Sequence, residues 1–123
     1  MPAPVDIRLH QKSRELELDY GQEGRYRLSC EFLRVHSPSA EVRGHGGSGG
    51  ELPVGKNLVN ITAIEPVGHY AIQLVFSDGH DSGIYSWDYL HDLCQRHDDY
   101  WQAYLDAVAK LGQRRDPVVI WSE

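Results

Sequence analysis

The feature that most constrains this chain is a change of hydrophobic period at Ser86. Up to "SGIYS" the apolar residues recur every second position. Beyond it Trp87, Leu90, Leu93 and Cys94 follow helical spacing, with Ser86 placed as an N-cap. A chain that spends its alternating segments first and its helical ones last predicts an α+β fold, a mostly antiparallel β-sheet followed by two C-terminal helices. The alternating part begins with "DIRLHQKSRELELDY", where Ile7, Leu9, Leu16, Leu18 and Tyr20 flank a polar turn and predict a hairpin. "RYRLSC" continues the pattern through Tyr26, Leu28 and Cys30. "CEFLRVH" then loses strict alternation and predicts a short helix halted by Pro38. "NLVNITAIEPVG" and "HYAIQLVFSDG" predict two more strands, with Tyr70, Ile72, Leu74 and Phe76 on one face and with Gly68 and Asp78-Gly79 in the turns.

The second helix is expected to start near Asp98 and to bury Trp101, Tyr104, Leu105, Val108 and Leu111, with Gly112 as its C-cap. "DPVVIWSE" then adds a last strand or packs over the core. At 123 residues the chain is expected to form one domain over 1–123, with a helical region at 86–112 and a tail at 113–123.

A net charge of −6, with no basic block interleaved with aromatics, disfavours nucleic acid, whose binding depends on neutralising phosphates. No apolar run approaches the roughly 20 residues that cross a bilayer, and "MPAPVDIRLH" lacks the order of a signal peptide. No membrane association and a cytoplasmic location are therefore expected. Cys30 and Cys94 are isolated, which suits reduced structural thiols.

The stretch "RGHGGSGGELPVGKN" satisfies three glycine motifs at once: a dinucleotide fingerprint, a near-complete P-loop and an esterase elbow. Each needs a strand before it and a helix after it. Pro38 stands before it and Pro53 interrupts it, and Asn57 stands where a P-loop has its hydroxyl. The segment 44–55 is expected to be a surface loop of permissive backbone, with no cofactor role.

The chain has seven histidines, none in a zinc-finger or H-E-x-x-H spacing, and no second His follows the H-x-D at His97. His91 and His97 are expected to face solvent. His80 stands apart, in the turn "SDGHDSG" between Asp78 and Asp81.

Taken together, "LRVHSPSAEVRGHG", "VNITAIEPVGHYAIQLVFSDGHDSGIYSWDYL" and the spacing between them resemble the gamma-butyrobetaine hydroxylase-like N-terminal domain, most specifically in "DGHDSGIYSWDYL". The resemblance covers roughly residues 5–95. It implies an accessory role, because in such settings the module accompanies an oxygenase domain or an iron–sulfur ATPase that does the chemistry. It also implies a structural zinc held by three Cys and one His. Here the matching positions are Ser37, Ser39 and Val42, and the His is His80. A neutral hydroxyl is a poor replacement for a thiolate, so that zinc site is not expected to carry over.

The leading expectation is a small non-catalytic module that binds a protein partner, a component of an oxygenase or iron–sulfur system. Its face would comprise Arg34, Arg43 and Trp87 with His36, His45, His80 and Asp81. Trp87, Tyr85 and Tyr89 would extend it if exposed, but core packing is the favoured expectation for these aromatics. The alternative is a metal protein in which His36, His45, His80 and a carboxylate, Asp81 or Glu41, converge on zinc, iron or nickel. An independent enzyme ranks third, since no acid/base pair or activated nucleophile is recognisable by spacing.

Overall fold

The structure, a computed structural model, describes residues 3–39 and 53–110. The first hairpin joins β1 (Asp6–His10) to β2 (Glu15–Asp19), and β3 (Arg25–Ser29) adds to the other side of β2. Register puts Leu16 between Leu9 and Leu28, and Leu18 between Ile7 and Tyr26. Leu16 and Leu18 are completely buried on that face. Glu17 points the other way, between Arg8 and Arg27 in register, and its Oε1 lies 2.8 Å from His10 Nε2. Period two thus separates an apolar face from a charged one within five residues.

Helix α1 (Cys30–Val35) follows β3 without a loop. Ser29 makes the transition possible: it is extended, and its side chain accepts a hydrogen bond from Phe32 N at 3.0 Å. Cys30, Glu31, Phe32, Leu33 and Val35 are all buried, so α1 is a core helix rather than an amphipathic surface one.

The second sheet consists of β4 (Ile61–Val67), β5 (Ala71–Phe76) and β6 (Gly83–Ser86), all antiparallel in that order. Gly68 and Gly79 occupy its two turns with φ of 55° and 91°, in the left-handed region that glycine enters without steric penalty. Ile72, Leu74 and Phe76 are buried as expected. Tyr70 is not: it lies before the strand begins, with 63% of its surface exposed. Among the described residues, six strands thus form two three-stranded antiparallel sheets.

The helices follow as α2 (Trp87–Gln95) and α3 (His97–Lys110). Ser86 caps α2 by accepting from Tyr89 N at 3.1 Å. Leu90, Leu93 and Cys94 join the main core with Leu16, Leu18, Leu28, Phe32, Leu74 and Tyr85. Tyr104 and Val108 of α3 form a smaller cluster with Val35. Leu111, Gly112 and the 113–123 tail lie outside the described residues. Cys30 and Cys94 are both free and buried. Burial pushes their thiols up to about 11 and about 12 respectively. Each should react with a thiol reagent at neutral pH at least about a hundredfold more slowly in the native protein than after unfolding, because the thiolate is the reactive form. Rapid native labelling would contradict that burial. Among the described residues, no helix is long and apolar enough to cross a membrane.

Candidate functional site

The polar residues on which the sequence reading centred come from two segments 43 to 44 positions apart. The first is the end of α1 and the residues after it, Arg34 to Ser39. The second is the turn between β5 and β6, Asp78 to Ser82. Three side-chain contacts join them in register. Arg34 Nε donates to Asp78 Oδ2 at 2.8 Å, Ser37 Oγ and His80 Nε2 lie 2.8 Å apart, and Ser39 Oγ meets Ser82 Oγ at 2.9 Å. The middle rung is sealed, with Ser37 1% and His80 7% exposed.

The turn is also braced from within. His80 N donates to Asp78 Oδ1 at 3.1 Å, and Phe76 N donates to His80 O at 2.9 Å. Gly83 opens β6 directly beneath Ser37. A Cβ built there would sit 2.5 Å from Ser37 Oγ, so the position needs glycine for space. Tyr85, completely buried, donates its hydroxyl to Leu33 O, and Tyr89 donates to His36 O. The two hydroxyls tie the second sheet and α2 to the end of α1. Tyr85 thereby takes the core position favoured for the aromatics of this stretch: period two in β6 turns Ile84 outward, 47% exposed, and Tyr85 inward.

Asp78 is the electrostatic centre. Besides Arg34 it holds Lys56, whose Nζ is 2.7 Å from the same Oδ2. Partial burial alone would raise its carboxyl. The hydrogen bonds from Lys56, His80 N and Arg34 outweigh that and hold it down at about 2. A carboxylate depressed in the folded state stabilises the fold above its ordinary value, and that stability is lost as pH falls through the folded value. Wild type should therefore lose stability between about pH 4 and pH 2 through this group, and Asp78→Asn should show less acid dependence across that window. Equal slopes for the two proteins would contradict the assignment.

The glycine-rich stretch lies outside the described residues up to position 52. After Asn57 the chain runs into strand β4, whereas a P-loop opens a helix there.

His36 lies at the α1 C-cap, with Nδ1 2.8 Å from Phe32 O and its ring centroid 4.5 Å from Phe32 and 5.4 Å from Tyr100. Trp87 is half-buried and donates its indole N–H to His69 O at 2.8 Å. Asp81 is exposed, and its backbone oxygen accepts from Gln73. Arg43, His45 and Glu41 lie outside the described residues. His91 and His97 do not simply face solvent: their rings pack at 5.3 Å from Tyr20 and 4.4 Å from Phe32. The contributions of Lys56, Ser82 and Gly83 to this cluster escaped the sequence reading. An aspartate two residues before a turn histidine was the one signal for the hub.

The zinc expected of a Cys3His site does not fit these residues. Ser37 stands at a thiolate position and is neutral. It contacts His80 directly at 2.8 Å, whereas two ligands of one zinc, each about 2.0–2.3 Å from the ion, would be farther apart across a tetrahedral angle. Among the described residues, no group of three or more His, Cys, Asp or Glu side chains is placed to hold a metal ion.

Two small antiparallel sheets, two terminal helices and a sealed polar ladder define a compact α+β module. The model of the gamma-butyrobetaine hydroxylase-like N-terminal domain matches residues 7–91, and the chain belongs to that family. It is 48% identical to a protein of known solution structure, over all of this chain and 97% of that one, with a TM-score of 0.82. A second solution structure is 44% identical over all of this chain and 92% of that one, with a TM-score of 0.79. A crystal structure from Acidithiobacillus ferrooxidans, described as a protein of unknown function, is 41% identical over 73% of this chain and 90% of that one, with a TM-score of 0.60. No curated protein gives a significant match.

Proposed function

We propose that this domain is a non-catalytic accessory module that binds a protein partner through the Asp78–Ser82 turn and the start of β6, held in place without a metal. The observation that carries the reading is the sealed Ser37–His80 pair. A serine within reach of a histidine is the start of a nucleophile–base pair. Here the hydroxyl is 1% exposed and already engaged by Ser39 N at 3.3 Å, so no substrate reaches it. What the pair does accomplish is to fix the turn in one geometry, while Asp81, Ser82 and Ile84 stand exposed on it. Preorganised turns bind at lower entropic cost than mobile ones. An apolar side chain exposed beside polar ones is the composition of a binding face. Family membership suggests a component of an oxygenase or iron–sulfur system as the partner.

Affinity capture with tagged wild type and Ile84→Asp, read by quantitative mass spectrometry and followed by reconstitution with the purified candidate, tests this reading. It predicts a protein that binds wild type and is lost with Ile84→Asp while the variant remains folded. Indistinguishable capture by the two would contradict it.

A further inference from the structure

The geometry points to a carboxylate-binding site formed by Arg34 and Lys56 at the base of the turn. Both cations share one oxygen of one carboxylate, Asp78 Oδ2, at 2.8 and 2.7 Å. The other oxygen accepts from His80 N, so Asp78 has given each of its oxygens to a strong donor. Among the described residues, these two positive charges are ion-paired to this one carboxylate, with side chains only 12% and 25% exposed. Among the described residues, the buried Nη1 of Arg34 has no hydrogen-bond partner. A buried guanidinium nitrogen without an acceptor is costly, and an excess charge out of water doubly so.

Charge arithmetic selects the ligand. Arg34, Lys56 and Asp78 sum to +1, which a monoanion neutralises and a phosphate dianion overshoots beside an existing aspartate. Arg34 supplies the free Nη1 donors, and Lys56 supplies the ammonium protons left after Asp78. Lys56 is the more exposed of the two side chains, and its flexible stem would have to move aside for a ligand to reach the buried Nη1. This inference deepens the partner-binding reading and rests on it for one point, that the carboxylate belongs to an acidic side chain of the partner.

The test is a ¹H–¹⁵N NMR titration of the full chain at neutral pH. It uses sodium acetate, a capped glutamate (N-acetyl-glutamate amide), inorganic phosphate and sodium chloride at matched ionic strength. Acetate and capped glutamate should give saturable shifts at Arg34, Lys56 and the 78–82 amides, and capped glutamate alone should also shift Ile84. Arg34→Lys, which keeps the charge and loses Nη1, and Lys56→Gln should each weaken binding at least about tenfold, their spectra otherwise staying native. Acetate shifts no different from chloride, tighter binding of phosphate than of acetate, or wild-type affinity in both variants would overturn the site. Acetate binding without capped-glutamate binding would overturn the side-chain source. A null titration alongside Ile84-dependent partner capture removes the carboxylate site alone; a positive titration with no partner captured removes the partner reading alone.

Discussion

Phe32→Ala is expected to cost about 3–5 kcal/mol, the range for removing a fully buried phenyl ring, and so to consume much of the stability of a domain this size. Phe32 is wholly buried. Its ring is the meeting point of α1 and α3: His36 and His97 approach it at centroid distances of 4.5 and 4.4 Å, and Trp101 at 6.2 Å. Truncation leaves these rings facing a void that neither helix can fill, because α1 is fixed at its start by Ser29 and at its end by Tyr85 and Tyr89. Urea unfolding should show the midpoint falling with an unchanged slope. A loss below about 1 kcal/mol would mean that the site collapses freely and that the helix pair is not organised around this ring.

Gly83→Ala is the second large effect, about 1–3 kcal/mol by overpacking. The added methyl would lie 2.5 Å from Ser37 Oγ and 3.1 Å from Tyr85 Cε1. Tyr85 is held by its bond to Leu33, so Ser37 is the group that must yield, and yielding breaks its contact with His80. The clash and the lost bond share one atom, which makes the effect separable. In the background of Ser37→Ala, which removes that oxygen, the same glycine substitution should cost measurably less than in wild type. The non-additivity expected of touching residues is about 0.5–3 kcal/mol. Strict additivity would show that the crowding is with Tyr85 or the backbone and that the Ser37–His80 rung is incidental.

Local periodicity carried the elements well. The change of period at Ser86, the turns at Gly68 and Gly79, and the short helix after Cys30 are all properties of a few neighbouring residues, and each stands in the fold where the sequence placed it. Tyr70 shows where the rule stops: it shares the parity of Ile72 but falls in the turn and stays largely exposed. Tyr85 follows the rule. Core packing is the favoured reading of the aromatics beside the polar turn, and the parity of a four-residue strand exposes Ile84 and buries Tyr85. Histidines were the least legible residues. An imidazole on a helix reads as solvated, while His36 and His97 flank Phe32 through contacts that only the packing of α1 on α3 creates.

The ladder itself was invisible to spacing. Its partners lie 43 to 44 residues apart, and their pairing depends on the end of α1 arriving beside the turn that follows β5. Family resemblance placed Ser37 and His80 at the positions of two zinc ligands, and the fold does bring them together. They meet there as hydrogen-bond partners, and the proposed reading is that side chains alone hold this junction.

That claim is most directly tested by thermal unfolding of the purified, untagged protein with its metal content measured, in the presence of excess chelator and then of added zinc. A junction held by Ser37, His80, Arg34 and Asp78 predicts substoichiometric metal and a midpoint unchanged by either treatment. A ligand that binds only the folded state raises stability by roughly RT ln(1 + [L]/Kd), several kcal/mol for a tightly held ion. Stoichiometric zinc or iron, with a midpoint that drops on chelation and recovers on adding metal back, would contradict the account.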